Sequence, residues 1–211
     1  MDLSGQTVSG NDRLLPFATC LPPLNSGHKC SMGRLLYING APGVGKLTIA
    51  RQMAKRLNAR VLDNHAIYNV GFALADFRSP AFYDAVRAVR TTAYEQILRL
   101  PDNEIVILTA ADFDDSQWGR ENWQAVVRLA EERRWPLYSI VLRCDPAEHR
   151  RRIIDKDREG RGKLRDADAV ATMTMRPLAR ADGSRCTELD VTMMAAEDAA
   201  LRLVEWVSNP A

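Results

Sequence analysis

The stretch Gly40-Ala41-Pro42-Gly43-Val44-Gly45-Lys46-Leu47-Thr48 has the residue types and spacing to hold a phosphate group. Its glycines let the backbone wrap so that successive N–H groups converge on one anion. The apolar run Leu35-Leu36-Tyr37-Ile38 precedes it and a helical pattern, Ile49 to Leu57, follows. The loop is therefore a strand-to-helix turn, and the helix adds unpaired N–H groups and the positive end of its dipole. Lys46 contributes a mobile point charge that can follow terminal phosphates. One position departs from the usual pattern: Leu47 stands where a Mg²⁺-binding hydroxyl is expected, and Thr48 comes one residue later.

Other chemistry-bearing residues fall at the ends of expected strands, where open parallel sheets bind their ligands. Asp63 follows the second strand, placed either to orient and deprotonate a hydroxyl or to cap the next helix. His65 offers substrate binding or a structural role. Asp112, Asp114 and Asp115 cluster after the third strand. One of them is expected to cap the helix that begins near Ser116, and Asp112 is a candidate to hold Mg²⁺ through water. The third strand ends in Thr109 rather than an acidic residue, which argues against a motor-type ATPase. Arg87 and Arg90 either meet an anionic substrate or lie on the surface. Arg150, Arg151 and Arg152 form a partly solvated helix face, whereas Arg158 and Arg161 lie in a segment with two glycines, Gly160 and Gly162, able to close over phosphates.

These residues need a frame to position them. The chain has 211 residues, 46% hydrophobic and 27% charged, which suits a globular α/β domain with a real core. A net charge of +2 gives no field favouring nucleic acid or membrane partners. No apolar run approaches the roughly 18 residues of a membrane span. The four cysteines are scattered without metal-ligand spacing, consistent with reduced thiols and a cytoplasmic setting. Residues 1–31 lack periodicity and read as a disordered extension, and Met32 could open the working protein. From there to residue 211 strands and helices alternate. Strands are expected at about 34–39, 59–62, 104–109, 137–142 and 188–191; helices at about 45–58, 81–99, 117–134, 166–175 and 195–207. Residues 66–80 read as mixed. Ser79-Pro80 signals a helix start, and Asp145-Pro146-Ala147-Glu148 a capping box. The alternation predicts a mainly parallel sheet with right-handed crossovers.

The phosphate loop, the Asp63-Asn64-His65 run after strand two and the arginine-rich segment at about 149–166 together resemble the small P-loop kinases, a group that includes adenylate, shikimate and gluconate kinases and chloramphenicol phosphotransferase. The closest similarity is to AAA-type small kinases with a Gly-Lys-Leu-Thr loop, over about residues 33–208. Adenylate-kinase-like loops also place a threonine second after the lysine, which shifts the hydroxyl role to Thr48. The resemblance implies a three-layer α/β/α P-loop NTPase fold with a five-stranded parallel sheet in the order 2-3-1-4-5 and an arginine-rich lid. It implies ATP and Mg²⁺ at residues 40–48, with Lys46 on the phosphates and Thr48 placing the metal. Adenine would sit between Arg150 and the loop near Thr192 and Met193. The acceptor would lie between strand two, residues 66–100 and the end of strand three. The expected activity is transfer of the γ-phosphoryl group of ATP to a hydroxyl or phosphate of a small molecule, with Asp63, Arg158 and Arg161 acting on it. The competing reading is a nucleotide-binding switch or interaction module. A GTPase is disfavoured, because no Asn-Lys-x-Asp guanine-reading motif is present.

Overall fold

A run such as Leu35-Leu36-Tyr37-Ile38 carries apolar side chains in both directions, so it can form a strand only where both faces of the sheet are covered. That is its setting in the computed structural model, which describes residues 32–154, 173, 176–179 and 185–209. The element order is β1 (Arg34–Gly40), α1 (Lys46–Leu57), β2 (Arg60–Leu62), α2 (Asn64–Leu74), α3 (Pro80–Leu98), β3 (Ile105–Ala110), α4 (Gln117–Arg133), β4 (Leu137–Arg143), α5 (Pro146–Ile154), β5 (Arg185–Asp190) and α6 (Ala196–Ser208). The five strands pair in parallel in the order β2-β3-β1-β4-β5, the order that the resemblance implies.

The central β1 sorts its side chains by the two-residue period. Leu36 and Ile38 join Met53 of α1, Ile107, Ile140 and Leu203 of α6 in one core cluster. Leu35 and Tyr37 face the opposite layer with Leu108, Val126 and Leu129 of α4, and Trp135. Each fully buried side chain of this size stabilises by about 1.5–3 kcal/mol, so the two filled layers hold the sheet in place and with it the loops at its carboxyl edge. Among the described residues no helix is long and apolar enough to cross a membrane.

Three expectations change. Residues 66–80 are not mixed: α2 spans most of them. Its apolar residues lie all round the helix, with Ile67 and Gly71 buried but Val70, Phe72 and Leu74 exposed, so no single stripe signals it. β5 begins at Arg185, earlier than expected, because its alternating half-exposed residues carry no apolar run. No aspartate caps α4; the Ser116 hydroxyl accepts the Gly119 N–H at 2.9 Å. The Ser79-Pro80 signal does start α3, with Ser79 Oγ accepting the Phe82 N–H at 3.1 Å. The expected extension 1–31 and the expected helix 166–175, apart from Met173, lie outside the described residues, as do Arg158 and Arg161.

Candidate active site

The turn between β1 and α1 needs backbone that L side chains rarely adopt. Gly43 has φ 99° and Gly45 φ 105°, both left-handed, and Gly45 caps α1 without a side chain. No acidic residue sits in the first turn of α1, so its N-terminus keeps an uncompensated positive end. The Lys46 ammonium folds back over the loop, donating to the carbonyls of Gly40 at 2.8 Å and Ala41 at 3.0 Å. Ala41 and Val44 are buried and anchor the loop, while Thr48 is exposed at the start of the helix and Leu47 is half-buried.

Helix α5 fixes the same loop from below. The Asp145 carboxylate caps it through the Ala147 N–H at 2.9 Å. The reciprocal half of the expected capping box is absent, because Glu148 turns instead to Arg151 and Arg152, each at 2.7 Å. Those two arginines hold the Glu148 carboxyl down at about 2. His149, buried, donates from Nε2 to the Pro42 carbonyl at 2.7 Å; a carbonyl only accepts, so Nε2 carries the proton. Arg152 reaches the Val44 carbonyl at 3.4 Å and the carbonyls of Val191 and Thr192 at 2.8 Å each. Arg152 thus ties the phosphate loop to the loop after β5. Arg150, which the resemblance placed beside adenine, is exposed on the other side of the helix. Only the (i, i+2) offset from Arg150 to Arg152, a change of helix face, could have signalled the difference.

At the ends of β2 and β3, Asp63 does not use its side chain to cap α2. Its Oδ1 accepts from the Thr109 hydroxyl at 2.5 Å, and Thr109 in turn accepts the Asn64 N–H at 3.2 Å. Thr109 therefore takes the place of a strand-end acid by orienting one on the neighbouring strand. His65 lies half-exposed in the first turn of α2.

Behind this edge is a buried polar network that sequence spacing did not reveal. Both Asp112 oxygens are engaged: Oδ2 accepts from Tyr37 at 2.7 Å and Oδ1 from Asn122 at 3.0 Å. Burial pushes its carboxyl up to about 6 despite those bonds, and burial likewise raises the Tyr37, Tyr68 and Tyr94 hydroxyls. The residue offered as a metal contact is thus a buried hydrogen-bond acceptor. Asn39 stitches the same region, its amide donating to the carbonyls of Asp112 at 2.8 Å and Ala179 at 2.9 Å while its oxygen accepts from the N–H groups of Gly40 and Asp112. Tyr68 accepts from Trp118 at 2.7 Å and Asn122 at 2.9 Å. Arg90, expected at the surface or on an anion, is buried, donating to Asn122 Oδ1 and to Glu121 at 2.9 Å. Arg87 grips the same Glu121 at 2.9 and 3.2 Å, and also Asp84 at 2.7 Å. Tyr37, Tyr68, Arg90 and Asn122 line a cavity with about 30 Å³ of free space, room for about two waters. Asn64, Tyr94, Thr109 and Asp112 also line it.

The comparisons agree with this architecture. A cytidylate kinase of Corynebacterium efficiens is 31% identical over 153 residues, covering 71% of this chain and 66% of its own length, just under two thirds. A sugar kinase from Janibacter sp. superposes with a TM-score of 0.57 at 16% identity, covering 83% of this chain and 95% of that one. An APS kinase of Mycobacterium tuberculosis, solved with AMPPNP and APS, gives 0.56 at 15% identity over 84% and 99%. The two structures establish the fold, that of P-loop small-molecule kinases. A family model described as AAA domain matches residues 35–180, from β1 through the phosphate loop, the β2 and β3 ends and α5, and the chain belongs to that family.

Proposed function

We propose that the protein is an ATP-dependent small-molecule kinase. The observation that carries this reading is the phosphate loop itself: two left-handed glycines, a helix N-terminus with no side-chain cap and Lys46 folded over the cradle. Lys46 and the loop amides would hold the ATP phosphates, and Arg152 would keep the loops around residues 44 and 192 in register. Asp63, oriented by Thr109, would receive the proton of an acceptor hydroxyl. The acceptor oxygen then bonds to the γ-phosphorus as the bond from that phosphorus to the β,γ-bridging oxygen breaks, and ADP leaves with the electron pair. Arg158 and Arg161 complete the proposal as charges closing over the transferring group.

Mg²⁺ fits this site in a limited way. Among the described residues no cluster of His, Cys, Asp or Glu could cage a metal, whereas the Thr48 hydroxyl is exposed at the start of α1. That suits an ion that keeps most of its waters and needs one protein oxygen beside the phosphates. When bound, it would neutralise phosphate charge. Asp112, with both oxygens committed, is better read as support for the β1 and β3 ends. Free Cys144 and Cys186 accord with a cytoplasmic setting, where ATP is abundant.

Lys46→Ala should reduce ATP-dependent transfer by about 10²-fold or more while leaving the circular dichroism spectrum unchanged. Asp63→Asn should lower kcat by about 10²–10⁴-fold with little change in ATP affinity. ATP turnover that persists undiminished in the Lys46 variant would overturn the reading. The competing switch reading predicts the opposite pattern for Asp63: unchanged turnover and altered nucleotide release.

A further inference from the structure

Each peptide unit of the phosphate loop is trans and planar, so its C=O and N–H point in opposite directions. A group that holds a loop carbonyl on one side therefore aims the next residue's N–H at the other. Helix α5 holds two such carbonyls. His149 Nε2 donates to the Pro42 carbonyl at 2.7 Å. Arg152, one turn later on the same face, reaches the Val44 carbonyl at 3.4 Å. The N–H groups of those two peptide units belong to Gly43 and Gly45, the left-handed glycines of the loop.

The glycines do not select this orientation by themselves. Turning the Pro42–Gly43 unit over carries Gly43 from φ 99° to negative φ, which glycine occupies as readily. Pro42 does not resist, because its ring fixes only its own φ. A bond from outside the loop has to choose. His149 is 1% exposed, so water does not compete for its N–H, and turning the unit over would leave that buried donor without the Pro42 carbonyl. The turned carbonyl would also face phosphate oxygens in the cradle. Arg152 makes the longer contact but is itself fixed, by Glu148 at 2.7 Å and by the carbonyls of Val191 and Thr192 at 2.8 Å each.

Resting on the phosphate-loop part of the reading above, we infer that His149 is a positioning residue for the nucleotide phosphates: by holding the Pro42 carbonyl out of the cradle it aims the Gly43 N–H into it, and Arg152 supports the Gly45 N–H in the same way through Val44. The test is calorimetric titration of the full chain, with Mg²⁺ present, against ATP and separately against inorganic tripolyphosphate, which carries the phosphates without the nucleoside. His149→Ala lets the unit turn; with the competent orientation reduced to about a tenth of molecules, both ligands should bind about tenfold more weakly. The amide nitrogen of Gln stands as far along the side chain as Nε2, and that of Asn only as far as Nδ1. His149→Gln should therefore recover most of the affinity and His149→Asn little, an order that loss of stability alone would not produce. Unchanged affinity in a folded His149→Ala chain, a loss for ATP without one for tripolyphosphate, or rescue by Asn as good as by Gln overturns the inference. Amide NMR of the wild-type chain decides even where no variant folds: tripolyphosphate should move the Gly43 and Gly45 amide protons downfield, and unmoved signals overturn it. A wild-type chain that binds neither ligand overturns the kinase reading itself, whereas normal wild-type binding with unaltered variants overturns this inference alone.

Discussion

At the scale of single residues, Asp63 and Asp112 show one side-chain type taking two fates within neighbouring loops. Asp63 stays at the edge, with one oxygen steadied by Thr109 at 2.5 Å. Asp112 turns inward and is held by Tyr37 and Asn122. Its carboxyl, raised from 3.8 to about 6, binds a proton more tightly in the folded protein than in the unfolded chain. Stability therefore falls as pH rises through this window, by roughly 1 kcal/mol between pH 5 and 7 from this group. The carboxyls with lowered values, such as Glu148 and Asp115, act in the other direction and below that range. Chemical denaturation at the two pH values should show the loss in the wild-type chain, and Asp112→Asn should shrink the difference by that amount. Asp63 was legible because a strand end is a position in sequence. The fate of Asp112 was not, because its partner Tyr37 lies 75 residues away in the chain.

At the scale of elements, the start of α4 shows how a short stretch is over-determined. Ser116 caps the helix, and Gly119, the donor it satisfies, lies against the Phe113 backbone so closely that an added Cβ would sit 2.1 Å from its carbonyl oxygen. Ser116→Ala should cost about 1 kcal/mol, the usual value of an N-cap. Gly119→Ala should cost more, on the order of 3 kcal/mol, because the thing displaced is backbone. Urea denaturation of the two variants checks the order, and equal losses would show that the loop gives way. The signals that read correctly were local ones: Ser79-Pro80 before α3, the glycines before α1, and Asp145 before α5. Helix α2 failed because no local rule covers a helix that is apolar on every face. Its Gly71 packs against Phe82 and Val86 of α3, a contact visible only once both helices are placed.

At the scale of the whole molecule, the α/β class followed from alternation between two periodicities, and the burial of the central strands from runs apolar in both directions. The strand order did not: nothing in composition places β4 rather than β2 beside β1, and it came with the family resemblance. Distant segments meet at a few points instead, and Asn39 is one of them. Its side chain joins β1 to Asp112 and Ala179, 73 and 140 residues away in the chain. Those bonds reward the chain only after two long loops have closed, and loop closure must come first. Asn39 thus acts in time as well as in space, as a latch that engages after the folding barrier is crossed. Asn39→Ala should leave the refolding rate in stopped-flow measurements nearly unchanged and speed unfolding by about tenfold or more, which makes this side chain a determinant of how long the native state lasts.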